Sequence, residues 1–447
     1  MTALEPVEVV DRIWARDPTI WTGADEGHWL GWLDEPSRML ERIDELESLE
    51  RDYEDIVLLG MGGSSLAPEV IRRTFGISRF HVLDTTHPSA IRRLEDRVEL
   101  EKTLFIAASK SGTTLETRSQ LDYFLARGGT FAAITDPGSE LEELAEEHGF
   151  AWTVHGEPTI GGRYSALSAF GMVPAALMDL DVRAFLERAD TLAQWCRLED
   201  ENPGLEFGLE LGENWGDGRD KVCIDETPGG FGLWAEQLVA ESTGKEGKGL
   251  VPAPGEDPGA GPDRQHGLVR LDDPYDLGAE LFRWEFATAV AGSILGINAF
   301  SQPDVQAAKD RTGAILERTQ GPLELEPEGS VEELLAGAEP PQYVAIQAFI
   351  DPAREGELDP LVLRARETGC VVTKGLGPRY LHSTGQLHKG GPSTVLALQI
   401  VDDFGEELEI PGREFGFRTL IAAQAAGEFE ALKERGRKVC RVRLGEL

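Results

Sequence analysis

Short, continuously apolar runs alternate along this chain with amphipathic stretches and small-residue turns. Ile56-Val57-Leu58-Leu59 leads into a glycine turn, and Phe80-His81-Val82-Leu83 precedes Asp84. Leu104-Phe105-Ile106-Ala107-Ala108 runs into a cluster of hydroxyl residues, and Phe131-Ala132-Ala133-Ile134 into Thr135-Asp136-Pro137-Gly138. Apolar runs of this length read as strands buried on both faces, with helices expected between them, as at 115–126 and 140–147. That alternation predicts an α/β fold, a parallel sheet with helices on both faces, and ligands gathering at the strands' carboxyl ends. A second unit of the same kind is expected from about residue 185, with strands at 221–224, 268–271, 343–349, 371–372, 395–401 and 439–442. Residues 1–50 read as a helical lead-in rich in Trp and acidic pairs, so the expected division is 1–50, 51–184 and 185–447. Segments 251–265 and 320–341 are dense in Pro, Gly and Glu and read as loops.

Composition narrows the partners. Of 447 residues, 80 are acidic and 43 basic, a formal charge of −37. Such a field disfavours nucleic acid and anionic membrane, and it repels phosphorylated ligands at long range. Any phosphate site must therefore be locally basic or rich in neutral donors. Cys196, Cys223, Cys370 and Cys440 lie far apart with no C-x-x-C pair, which points to a reducing, cytoplasmic setting and away from disulfides or zinc. The acidic N-terminus has no signal-peptide core, and the apolar stretch 286–300 is too short and interrupted to span a bilayer.

The densest chemical signal is Ser109-Lys110-Ser111-Gly112-Thr113-Thr114-Leu115-Glu116-Thr117. An ordinary helix cap needs one hydroxyl. Several hydroxyls where a strand hands over to a helix make a seat for a phosphate ester, because the helix start adds backbone donors and partial positive charge. Gly60-Met61-Gly62-Gly63-Ser64-Ser65 offers a second close-approach turn, without the spacing of a dinucleotide site. Gly161-Gly162-Arg163-Tyr164-Ser165 sets backbone donors beside a permanent cation, suited to a developing oxyanion. Gln237 and Glu241 share one helix face just before a break at Gly244, where a desolvated carboxylate could shuttle a proton. Gln302 precedes a helix that carries Lys309, one of only ten lysines. His382 and His388 are six apart, which excludes the i, i+4 metal face and leaves an acid/base or hydrogen-bonding role.

Taken in order, the SKSGTTLET, GGRYS and E-S-T-G-K segments resemble the phosphoglucose isomerase family. The likeness is closest to the isomerase half of bacterial fusions of transaldolase with glucose-6-phosphate isomerase, and it extends over nearly the whole chain. No transaldolase portion is present. The resemblance implies two doubly wound, parallel-sheet sugar-isomerase (SIS-like) domains, three-layer α/β/α sandwiches, the second with a rearranged order of elements. It implies metal-independent isomerisation of glucose 6-phosphate and fructose 6-phosphate through a cis-enediolate, an aldose–ketose isomerisation that needs no metal or redox cofactor. It also implies a homodimer and association with transaldolase. Dual action on mannose 6-phosphate, an amino-sugar isomerase domain and a non-catalytic sugar-phosphate sensor are the competing readings. By motif, Ser109, Lys110, Ser111, Thr114 and Thr117 would seat the phosphate, with Gly63 and Ser64 touching sugar or phosphate. Glu241 would be the base, Arg163 beside Gly162 the enediolate stabiliser, Gln237 and Gln302 substrate contacts, and Lys309 an aid to ring opening. In the usual dimer the ring-opening histidine comes from the neighbouring subunit. Here His388 in Thr384-Gly385-Gln386-Leu387-His388 is the first choice and His382 the second. His266 is the one histidine between Glu241 and Lys309.

Overall fold

The computed structural model describes residues 6–319, 321 and 323–446. Strands β1 (Asp55–Gly60), β2 (Phe80–Leu83), β3 (Thr103–Ala108), β4 (Thr130–Thr135) and β5 (Thr153–His155) form one parallel sheet in the order β2-β1-β3-β4-β5. The four apolar runs are its four central and left-hand strands. The short β5 carries no such run and was not foreseen. Because β1 lies between β2 and β3, the connections leave it in opposite directions, and a crevice opens at the carboxyl ends of β1 and β3. The glycine turn at 61–65 and the hydroxyl turn at 109–114 both fall there.

The second half holds β6 (Lys221–Ile224), β7 (Val251–Pro254) and β8 (Arg264–Gly267) in the order β7-β6-β8. It also holds β9 (Tyr343–Phe349), β10 (Val371–Leu376), β11 (Val395–Val401) and β12 (Lys438–Arg443) in the order β10-β9-β11-β12. Every pair is parallel, and β7 runs beside β10. The chain is thus an α/β protein built on parallel sheets sandwiched by helices.

Three local expectations need correction. The stretch 251–265 is not a loop but contains β7 and the start of β8. The strand expected at 268–271 lies four residues earlier, in the polar run Arg264-Gln265-His266-Gly267. Polarity hid it, yet two of its side chains find partners inside: Arg264 donates Nη1 to Glu256 Oε2 at 3.0 Å, and Gln265 donates to the Arg219 carbonyl at 2.6 Å. Segment 320–341 includes a short helix, Val331–Leu335, capped by Ser330.

The lead-in is part of the core. Trp32 stacks on Tyr164 and meets Phe282 and Phe286, while Trp21 donates to the Ala289 carbonyl at 2.9 Å. The helix Gly232–Thr243 is the hub of the molecule. It packs on β7, on the helices Leu66–Thr74 and Asp276–Leu295, and on Gly385–Gly390, and it carries Gln237 and Glu241. All four cysteines are buried and unpaired. Among the described residues, no helix is long and apolar enough to cross a membrane.

Candidate active site

At the end of β3 the chain turns through Gly112 at φ +76°, where a Cβ would sit 2.3 Å from the Leu141 nitrogen. Only glycine fits. Ser109 Oγ accepts from the Gly112 N–H at 3.1 Å and lies 3.2 Å from Thr114 Oγ1, and Ser111 Oγ lies 2.7 Å from Thr113 Oγ1. Thr114 opens the helix Leu115–Leu125 without a side-chain cap, so the first-turn N–H groups remain available to an anion.

Ser111, Thr113 and Thr114 face a cavity of about 320 Å³, within the range typical of small-molecule sites. Glu116, Lys309, Leu381, His382 and Gln424 line the rest of it. Not every expected phosphate ligand reaches it. Lys110 turns away to Asp136 Oδ2 at 2.5 Å, and Ser109 and Thr117 are buried behind the wall. Ser109 braces the turn. Thr117 Oγ1 has no hydrogen-bond partner among the described residues.

The histidines separate cleanly. His382 Nε2 lies 2.8 Å from Glu116 Oε1, which also accepts from Gln424 Nε2 at 2.7 Å. Burial alone would push the Glu116 carboxyl up, but the His382 imidazole and its hydrogen bond hold it below the ordinary range. His388, the first choice from sequence, is displaced from the cavity. It is sealed between Tyr343 Oη at 3.0 Å and Thr384 Oγ1 at 3.1 Å, on the inner face of the helix Gly385–Gly390. Burial, with the Lys389 and Arg437 charges, pushes its imidazole down to about 3, so it stays neutral. His266 pairs with Asp225 on the exposed side of β8.

A second cluster adjoins the cavity. Arg163, 2% exposed, donates Nε to Ser242 Oγ at 3.0 Å and Nη1 to Gln302 Oε1 at 2.9 Å. Its Nη2 donates to the carbonyls of Ala299 at 2.9 Å and Ser301 at 3.0 Å. Glu241 Oε2 lies 3.5 Å from Nη1. Burial raises the Glu241 carboxyl above the usual range, and Arg163, then His382 and Lys245, pull the other way. Gln237 Nε2 ties the cluster to the cavity, donating to the His382 carbonyl at 2.7 Å and to Glu241 Oε2 at 3.3 Å. The two glycine turns make this approach feasible. A Cβ on Gly63 would lie 1.9 Å from the Gly162 carbonyl oxygen, while Ser64 next to it is half-buried.

Sequence reasoning left Glu116, Gln424, Ser242 and Lys245 without roles. Glu116 and Lys245 stand inside the quoted motifs, and a carboxylate in the first turn of a phosphate-seating helix was a usable signal. Lys245 is buried, and its Nζ donates to the Asn298 carbonyl at 2.6 Å and to that of Ser301. Burial, with the Arg163 charge, drives its ammonium well below its ordinary range. Gln424, more than 300 residues from Glu116 in sequence, gave no signal at all.

Residues 47–199 match the phosphoglucose isomerase family model. That span includes the glycine turn, the hydroxyl turn and Arg163. Over this part the chain is similar to the phosphoglucose isomerase family. A glucose-6-phosphate isomerase of Acaryochloris marina is 34% identical over 43% of this chain and 40% of its own length. A probable glucose-6-phosphate isomerase of Methanococcus maripaludis is 28% identical over 55% of this chain and 60% of its own length. The chain thus spans roughly two fifths to three fifths of these relatives. A solved glucose-6-phosphate isomerase from Chlamydia trachomatis shares the fold, with TM-score 0.51 and 20% identity over 69% of this chain and 78% of that one.

Proposed function

We propose that the protein interconverts glucose 6-phosphate and fructose 6-phosphate by proton transfer through a cis-enediolate, without metal or redox cofactor. The observation that carries this reading is the Gln237 bridge. It joins a desolvated carboxylate–guanidinium pair, Glu241 and Arg163, to the backbone of the histidine that faces the hydroxyl-lined cavity.

The phosphate rests on Ser111, Thr113 and Thr114 and on the N–H groups that open the helix, neutral donors in a chain of strongly negative charge. His382, held through Nε2 by the Glu116 carboxylate, manages the ring-oxygen proton with its other nitrogen, and Lys309 assists from the far wall. This assigns ring opening to His382 in place of His388 and draws it from the same chain as the base. Glu241 then moves the proton between C1 and C2. Arg163 Nη1, which faces both Glu241 and Gln302, meets the enediolate oxygen once Gln302 yields its place to substrate. A positioned acid–base group supplies about 10²–10⁴-fold, and a preorganised donor at the oxyanion a comparable factor.

The test is a coupled assay of fructose 6-phosphate turnover with a chelator present and mannose 6-phosphate run in parallel. Isomerisation that persists with chelator is expected. Loss of turnover restored by added metal, or no turnover of either hexose phosphate by a folded protein, refutes the reading.

A further inference from the structure

A cavity of about 690 Å³ lies apart from the site above, along β2 and the helices Leu66–Thr74 and Pro88–Arg97. Five arginines line it: Arg72, Arg73, Arg93, Arg97 and Arg379. The carboxylates in its wall are Glu69 and Asp84, and Asp351 reaches Arg93 from behind. Glu236, a further carboxyl beside Arg379, is pushed by burial up to about 8, so even with the other three counted as charged, five cations face three anions in a protein whose formal charge is −37.

The pairing is uneven. Arg72 is held by both oxygens of Glu69, and Arg93 by both oxygens of Asp351. Arg73 gives only Nε to Glu69 Oε1, at 2.6 Å, and keeps its Nη groups for another partner. Arg97 has no hydrogen bond or ion pair among the described residues and is exposed. Arg379 Nε is buried without a hydrogen bond of good geometry, although Asp84 Oδ2 lies 3.1 Å away. Burial raises the Asp84 carboxyl above its usual range, which weakens its hold on Arg379 further.

We propose that this cavity is a second anion site, for a phosphorylated small molecule, with Arg73, Arg97 and Arg379 as the recognising forks. Guanidinium groups match phosphate oxygens two at a time, and three with free donors around one cavity exceed what the local carboxylates can satisfy. A surplus of positive charge on a strongly acidic surface focuses the field at that point and draws small anions to it. The site also has a route to the first cavity. Arg379 opens the short turn Arg379–His382, whose last residue is the histidine held by Glu116.

The test is isothermal titration of the full chain with inorganic pyrophosphate at low ionic strength. The comparison set is an Arg73→Ala/Arg97→Ala double variant, a Thr114→Ala variant and thermal melts of each. Pyrophosphate binding that survives Thr114→Ala, weakens at least tenfold in the double variant with its melt unchanged, and fades with added salt is the expected result. If the double variant is destabilised, Arg97→Ala alone decides, because that exposed side chain has no partner to lose. No binding to the wild type, binding unchanged in the arginine variants, or binding abolished by Thr114→Ala would overturn the proposal. None of these readouts depends on the isomerase reaction.

Discussion

Around the hydroxyl turn, Ser111, Thr113 and Thr114 stay close to water, Ser111 pairing with Thr113 while buried Ser109 braces Thr114 from behind. Around Arg163 the opposite holds. The guanidinium has five protein partners, Glu241 is 4% exposed, and two buried cations, Arg163 and Lys245, share the Ser301 carbonyl. The contrast teaches a division of labour. The phosphate arrives carrying its own hydration and needs donors it can reach without reorganising the fold. Proton transfer needs a carboxylate taken out of water, where its basicity rises and each nearby charge counts for more.

The largest effect should come from the dry half. Glu241→Gln is expected to lower kcat by about 10³-fold or more, with sugar-phosphate binding retained in equilibrium titration. A variant keeping a tenth of the wild-type rate would remove Glu241 from the base role and dissolve the contrast. The base works ionised and its carboxyl is raised by burial, so the acid limb of kcat/KM should fall above the ordinary glutamate value near 4.5.

The two histidines sharpen the comparison next. His382→Gln is expected to cost about 10²-fold in kcat, most of it when the substrate is the closed ring. His388→Gln should leave kcat within about threefold, because its ring never meets the cavity. Its effect is on stability. A folded-state imidazole lowered to about 3 binds fewer protons than the unfolded one. Its contribution is therefore present above the unfolded value of about 6.5 and lost as pH falls below it. The variant's melting temperature should fall less than the wild type's between pH 7 and pH 5. Equal kcat losses in both variants would contradict the assignment.

On the wet half, Thr114→Ala should raise KM about tenfold, equivalent to roughly 1.4 kcal/mol, with kcat little changed. A selective fall in kcat would mean that the hydroxyl turn takes part in chemistry beyond anchoring.

The smallest effect concerns a carboxyl outside both halves. Glu285 is 1% exposed with neither oxygen hydrogen-bonded among the described residues, and burial, with Glu35 nearby, pushes it well above its ordinary range. A folded-state acid raised in this way favours folding while protonated. Stability is full below the unfolded value near 4.5 and declines as pH rises above it. Glu285→Gln should therefore raise the melting temperature at pH 8 by about 2 °C or more, and by less at pH 5. A uniform shift at both pH values would mean that the carboxyl is ionised in the fold.

Much of this molecule was legible beforehand, unevenly. Strands such as Tyr343–Phe349 and Val395–Val401 announced themselves because a strand covered on both faces is apolar at nearly every position, Gln347 and Gln399 being the exceptions. Arg264–Gly267 did not, because its polar groups are neutralised by Glu256 and by the Arg219 carbonyl, partners remote from any local pattern. The catalytic candidates show the same limit. Glu241 and Gln237 could be placed on one helix face from their spacing alone. Which histidine belongs with them could not, since His382 and His388 sit six residues apart in one short segment.

What the amino-acid order determined by itself is local: the alternating α/β rhythm, the glycine-dependent turns, the hydroxyl seat, and an acidic balance that forces any phosphate site to use neutral or clustered donors. Tertiary structure decided which side chains were left wet and which were sealed. It turned Lys110 away to Asp136, closed Tyr343 over His388, brought Glu116 to His382 across 266 residues of chain, and gathered five arginines on one cavity. Burial and long-range pairing arise only when distant segments pack, and those two quantities govern protonation and reach. Residue identity names the candidates for chemistry, and packing selects among them.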